Sequence, residues 1–201
     1  MSPYPSQTNR TGIIETARQL IERDGVEALS LGKVAAALDI KAPSLYGHIR
    51  NKNALLQAVI EQTYLSLFDA YDEALDQSGD DPAERLLNLS RAHRRFAHEN
   101  PNTYMLAYTT PNPELNTNPD MLLERAIAIQ KIMSAITGEE DSLPALRGSL
   151  ALVHGYVMLE LNGQFRRGGD LAATFDAVLE AYLRGWEKAP ASRKRHSKKK
   201  S

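Results

Sequence analysis

Lys41, Ser44, Tyr46, His48, Arg50 and Lys52, all able to donate hydrogen bonds to phosphate oxygens or base edges, fall within twelve consecutive residues of this 201-residue chain. No G-x-S-x-G elbow, phosphate-cradling glycine loop, H-E-x-x-H or paired-carboxylate motif accompanies them, and the five histidines are scattered. The chemistry on offer is therefore binding, not bond-making, and no catalytic residue is expected. Cysteine is absent, which removes disulfides, thiolate metal sites and a thiol nucleophile. His93 and His98 stand five apart, off a common helix face, so neither a metal site nor a cofactor is expected.

The elements that must position this donor row are short helices. Ile13, Ala17, Leu20 and Ile21 repeat at helical spacing and predict a helix over 10–24, entered from Thr8 or Thr11 and stopped by Gly25. Ser30 can cap a second helix over 31–38, with Val34, Ala35 and Leu38 inward. Pro43 suits a first turn, so 42–49 reads as a third helix with Leu45 and Ile49 inward. Asn51 caps a fourth, running to about Leu75. A tight turn joining the second and third gives a helix-turn-helix. Beyond Pro82 the apolar spacing predicts helices over 83–98, 102–108, 121–136, 143–167 and 171–188, broken at 109–119, 137–144 and Gly168-Gly169. The expected fold is all-α with about nine helices.

The net charge of −1 conceals segregation. Residues 1–56 are mildly positive, the middle carries about twice as many carboxylates as cations, and the ending SRKRHSKKKS has no acid. A positive head on an acidic body suits a protein that offers part of its surface to a polyanion. The N-terminus lacks the apolar stretch of a secretory signal and no run reaches the roughly 18 apolar residues of a membrane span. No membrane partner is expected, and the natural setting is cytoplasmic.

Residues 10–60, through IIETARQLIERDGVEALSLGKVAAALDIKAPSLYGHIRNKNALLQAVI and above all the block SLYGHIRNKNALL, resemble the TetR-like repressors. The resemblance implies that Ser30 and Ser44 donate to phosphates at the N-termini of the second and third helices. Tyr46 and His48 would contact phosphates from the third, and Lys52, at the positive end of the fourth helix dipole, would clamp another. Base reading would fall to Lys41, Ala42 and Ser44, with Lys33 adding a contact from the second helix. Plainer readings stand beside these: Tyr46 packed on the first helix, His48 a neutral surface residue, Lys33 a solvated charge. Gly32 and Gly47 stand where relatives carry larger side chains, which shifts weight toward DNA shape. The implied partners are double-stranded operator DNA of pseudo-palindromic sequence, a second copy of the chain in a homodimer, and a small-molecule effector that releases the DNA.

The expected layout is a disordered arm over 1–9, the helix-turn-helix domain over 10–56, an effector-binding and dimerisation domain over 57–190 and a flexible basic tail over 191–201. The segment LVHGYVMLELNGQF also resembles a TetR subfamily marked by Trp-His-Gly, with Val153 replacing the Trp before His154-Gly155. Polar groups on otherwise apolar helices, His93, Tyr104, Tyr108, His154 and Glu160, are the pocket candidates; each could equally be a satisfied core or surface group. The helix over 143–167 is apolar nearly all round and the one over 171–188 carries an apolar stripe. Leu150, Val157, Leu161, Phe175, Leu179, Tyr182 and Trp186 are accordingly the dimer-interface candidates. Gly148, Gly155 and Gly163 in the first of these helices imply a close neighbour or ligand.

Overall fold

A computed structural model describes residues 9–109 and 119–187; the expected N-terminal arm to residue 8, the loop 110–118 and the basic tail lie outside the described residues. Among the described residues every regular element is helical: α1 (Arg10–Asp24), α2 (Leu31–Ala37), α3 (Ala42–Leu45), α4 (Lys52–Asp76), α5 (Pro82–Glu99), α6 (Pro101–Thr109), α7 (Pro119–Thr137), α8 (Glu139–Leu161) and α9 (Leu171–Glu187). None is long and apolar enough to cross a membrane. The chain divides into two compact units, one taking in the chain to Gln77 and Arg91–Ala126, the other Ser78–Ser90 and everything from Ile127 onward.

In the first unit, side chains fix three helix starts. Asn9, not Thr11, caps α1, its Oδ1 accepting the Gly12 N–H at 2.7 Å; Thr8 lies outside the described residues. Ser30 Oγ accepts from the Lys33 N–H at 3.2 Å and Asn51 Oδ1 from the Ala54 N–H at 2.8 Å, each such cap contributing about 1 kcal/mol. The third helix is shorter than 42–49. It closes at Leu45, and 46–48 continue as a turn in which the His48 and Ile49 N–H groups both reach the Leu45 carbonyl at 2.9 Å. Gly47 is a weak helix former, and the His48 N–H bonds three residues back, so the regular α-helix is not carried past Leu45. Leu45 and Ile49 are nevertheless buried, in one core with Ile13, Ala17, Ile21, Val34, Leu55, Val59 and, from α6, Leu106.

In the second unit, α8 occupies 139–161, not 143–167. Glu139, Glu140 and Asp141 fill its first turn, where negative charge complements the helix dipole, and Pro144 lies inside it. It ends at Leu161 because Gly163, at φ +62°, reverses the chain, with the Gly163 and Gln164 N–H groups on the Glu160 and Leu159 carbonyls. Gly163 is therefore a terminator, not an interior residue. Gly155 has no neighbour within 4 Å of where a Cβ would stand. Only Gly148 makes room for another helix: a Cβ there would collide with the hydroxyl of Tyr182, which donates to the Ala145 carbonyl at 2.7 Å. Asp170 caps α9 through the Ala172 and Ala173 N–H groups, and Val153, Tyr156, Phe175 and Leu179 form the α8–α9 core, with the Tyr156 hydroxyl on the Leu171 carbonyl at 2.8 Å.

Gly148→Ala should lower the stability of the second unit by about 1–3 kcal/mol, as overpacking does, and the loss should shrink in a Tyr182→Phe background where the colliding oxygen is gone. Urea unfolding of the four chains measures both; an equal loss in the two backgrounds would contradict the α8–α9 contact.

Candidate nucleic-acid interface and buried aromatic cluster

Each short helix of the first unit spends its apolar residues on the core and turns its donors outward. On α2, Val34 and Ala35 are buried while Ser30 and Lys33 are exposed; around α3, Leu45 and Ile49 are buried while Lys41, Ser44, Tyr46 and His48 are exposed. Ala42 and Lys52 are half-buried at the starts of α3 and α4. Tyr46 is 58% exposed, so its ring points outward and is not packed on α1. Ser30 accepts a backbone hydrogen bond, which leaves its own proton to donate. Cβ atoms at Gly32 and Gly47 would meet only ordinary contacts, Ser30 Oγ at 3.9 Å and the Ser44 carbonyl at 3.8 Å. The fold does not require glycine at either place. What glycine does there is leave bare backbone on the outward face.

The first unit also holds a cluster of rings. His93 is buried, with Nδ1 at 2.5 Å from the Tyr71 hydroxyl and Nε2 at 2.8 Å from the Tyr104 hydroxyl. A neutral imidazole has one N–H and one bare nitrogen, so one phenol donates to the ring and the other accepts from it. Tyr108 stacks on Tyr104 with centroids 4.6 Å apart and stands 5.3 Å from Tyr64, whose hydroxyl donates to the Ala107 carbonyl at 3.1 Å. Phe68 lies between Tyr64 and Tyr71 along α4, with the Arg125 guanidinium over its ring at 5.4 Å and paired to Asp72 at 2.6 Å. Burial holds the phenols of Tyr71, Tyr104 and Tyr108 well above the usual range, so they stay neutral donors.

Of the five expected pocket residues, the structure brings together His93, Tyr104 and Tyr108. His154 and Glu160 belong to α8 in the second unit, both half-buried, and desolvation lowers the His154 pKa. Tyr64, Phe68 and Tyr71 were not anticipated; their i, i+4, i+7 spacing on α4 is the signal that marks them. Among the expected dimer residues, Val157, Phe175 and Leu179 are covered within the single chain, Leu161, Tyr182 and Trp186 are half-buried, and Leu150 is 49% exposed. The large apolar side chains that α8 and α9 leave exposed are Leu143, Leu150, Leu159 and Val178.

Because the folded phenols ionise above the unfolded value of about 10, they favour the fold fully below that pH and less as pH rises past it. Thermal unfolding followed from pH 8 to 12 should show stability falling from about pH 10, with the buried tyrosines gaining phenolate absorbance only as the chain unfolds. Tyr104→Phe, which strips a partner from buried His93, should cost about 1–3 kcal/mol at neutral pH. Phenolate absorbance from every tyrosine in the folded chain near pH 10 would contradict the burial.

Residues 13–59 match the family described as bacterial regulatory proteins, tetR family, and residues 86–182 match the tetracyclin repressor-like C-terminal domain, between them most of the chain. An uncharacterised HTH-type transcriptional regulator of Bacillus subtilis, YobS, is 26% identical over 188 residues, 92% of this chain and 95% of that protein. The class D tetracycline repressor protein of Escherichia coli is 32% identical over 90 residues, 45% of this chain and 40% of that one. A solved protein of unknown function from Rhodococcus sp. RHA1 shares the fold with a TM-score of 0.80 at 22% identity, covering 94% of this chain and all 100% of that one. A single-residue variant of TetR from Acinetobacter baumannii AYE, in complex with minocycline, gives a TM-score of 0.67 at 22% identity, covering 96% and 100%. With both halves matched in order and the donor row standing on its helix-turn-helix, the chain belongs to the TetR family of bacterial transcriptional regulators.

Proposed function

We propose that this regulator is a homodimeric repressor that holds a pseudo-palindromic operator through α2, α3 and the first turn of α4, and that a small-molecule effector releases it. The observation that carries the reading is the outward row of donors over a closed apolar core, with Tyr46 projecting and not packed. Ser30, Ser44, Tyr46, His48 and Lys52 take phosphates; Lys41, Ala42 and Ser44 read bases, with Lys33 beside them. The operating division is a DNA-reading domain over 10–56 and a body over 57–190, and the place of action is the cytoplasm, where the operator is. No enzymatic reaction is assigned.

The effector site is the cluster of His93, Tyr104 and Tyr108 with Tyr64, Phe68 and Tyr71. Its neutral rings and hydroxyls favour an uncharged aromatic body over a strongly charged one. Support for a small-molecule ligand comes from the fold neighbour in complex with minocycline. His154 and Glu160 stand as separate polar groups on α8, and the finer Trp-His-Gly assignment rests on His154-Gly155 alone. The second copy packs on α8 and α9 through Leu150, Leu161, Tyr182 and Trp186, joined by exposed Leu143, Leu159 and Val178. The effector acts by favouring a spacing of the two reading heads that does not fit adjacent grooves, and near-complete release needs about a 10⁴-fold preference for that state.

Titration of the protein against DNA from just upstream of its own gene, at low and physiological salt, tests the reading. Saturable binding should weaken steeply with salt, Lys52→Ala should reduce the salt slope by about one per chain, and Tyr46→Phe should weaken all duplexes alike. Full-strength binding by both variants, or none by the parent chain, would sink the proposal. Leu150→Arg should move the sedimenting species from dimer to monomer; an unaltered dimer would remove α8 from the interface.

A further inference from the structure

The C-terminal end of α1 and the N-terminal end of α6 cap each other. The first amides of a helix and its last carbonyls have no partner within the helix. Here the Glu22 carboxylate accepts the Asn102 N–H at 3.0 Å and the Thr103 N–H at 2.8 Å, both in the first turn of α6, and also the Thr103 hydroxyl at 2.5 Å. In return the Asn102 side-chain amide donates to the Glu22 backbone carbonyl at 2.9 Å, in the last turn of α1. A carboxylate at the positive end of α6 adds a favourable dipole interaction. Thr103 is fully buried, which shields these bonds from competing water.

Asn100, the residue placed to cap α6 from within, does not do so. Its Nδ2 donates to the Phe96 carbonyl at 3.0 Å and its Oδ1 accepts from the Arg18 guanidinium at 3.3 Å, while Arg18 also reaches Ser66 Oγ at 3.4 Å. The start of α6 is thereby left to a side chain from a helix 80 residues earlier in the chain. Tyr104, bonded to His93, follows Thr103 directly; Leu106 enters the core that α1 and α4 share with α2 and α3; Tyr108 stacks on Tyr104. One nine-residue helix thus touches the aromatic cluster and is fastened to α1.

We propose that Glu22 is the coupling residue of this regulator, clamping α1 to α6 so that a displacement of α6 at Tyr104 and Tyr108 is delivered through α1 to the α2–α3 surface. The proposal rests on the reading of the chain as an effector-released DNA-binding protein. Coupling is reciprocal, so DNA bound at α2–α3 must in turn stabilise the clamp. That consequence can be read without knowing the effector.

Hydrogen–deuterium exchange of the full chain, with and without a duplex that it binds, gives the test at the amides of residues 102–104. In the parent chain the duplex should slow exchange there about five- to tenfold. In Glu22→Gln and Thr103→Val the duplex should still bind, but the slowing should fall below about twofold, whereas Thr103→Ser, which keeps the hydroxyl, should retain it. Thr103→Val carries the test alone should Glu22→Gln fail to fold. A clamp that is only structural would speed exchange equally with and without DNA and leave the ratio unchanged, which would overturn the proposal. Binding with no slowing in the parent chain would overturn it too. Failure of the parent chain to bind any duplex, read separately by titration, would instead overturn the DNA-binding reading and take the coupling with it.

Discussion

Burial of one face of α1 is the interaction on which the first unit depends. Ile13, Ala17 and Ile21 are fully covered; α1 packs against α2, α4 and α6, and Leu45 of α3 belongs to the same core. Each fully buried isoleucine side chain contributes about 1.5–3 kcal/mol relative to exposure. The four-residue α3 could not persist by itself, since so short a helix does not repay its own nucleation. Leu45 and Ile49 hold it to that core, and this leaves Ser44 on the helix and Tyr46 and His48 in the turn after it exposed.

The same core explains why polar groups can be sharply divided in one unit. Outside, the donors on α2 and around α3 are exposed; inside, His93 and Tyr104 are buried, and His93 is bonded to the Tyr71 and Tyr104 hydroxyls. Helix α6 meets both regions, through Leu106 in the core and through Tyr104 and Tyr108 in the cluster. The end-to-end capping by Glu22 ties that helix to α1, so two sets of side chains with no sequence proximity share one mechanical element.

The reach of sequence reasoning follows the range of each interaction. The span of α1 and the caps Ser30 and Asn51 were legible because periodicity and capping are local. Pro144 was read as a breaker and Gly163 as interior, which displaced both ends of α8; the acidic run 139–141 was the overlooked start signal. The donor row was legible because exposed polar residues between core positions have a pattern of their own. His93, Tyr104 and Tyr108 stood out as polar groups on apolar helices, but which rings meet them depends on how α4 packs. Val157, Phe175 and Leu179 show the matching limit: a stripe says that a face is covered, not whether the same chain covers it. The Glu22 contacts bridge about 80 residues and leave no local trace.

The central claim is that this surface reads a two-fold-related DNA sequence. Selection of duplexes from a random-sequence pool by the purified protein, followed by sequencing, tests it most directly. The account predicts enrichment of an inverted repeat whose half-sites lie about one helical turn apart, or a multiple of it. A bound pool that keeps the composition of the input would contradict it.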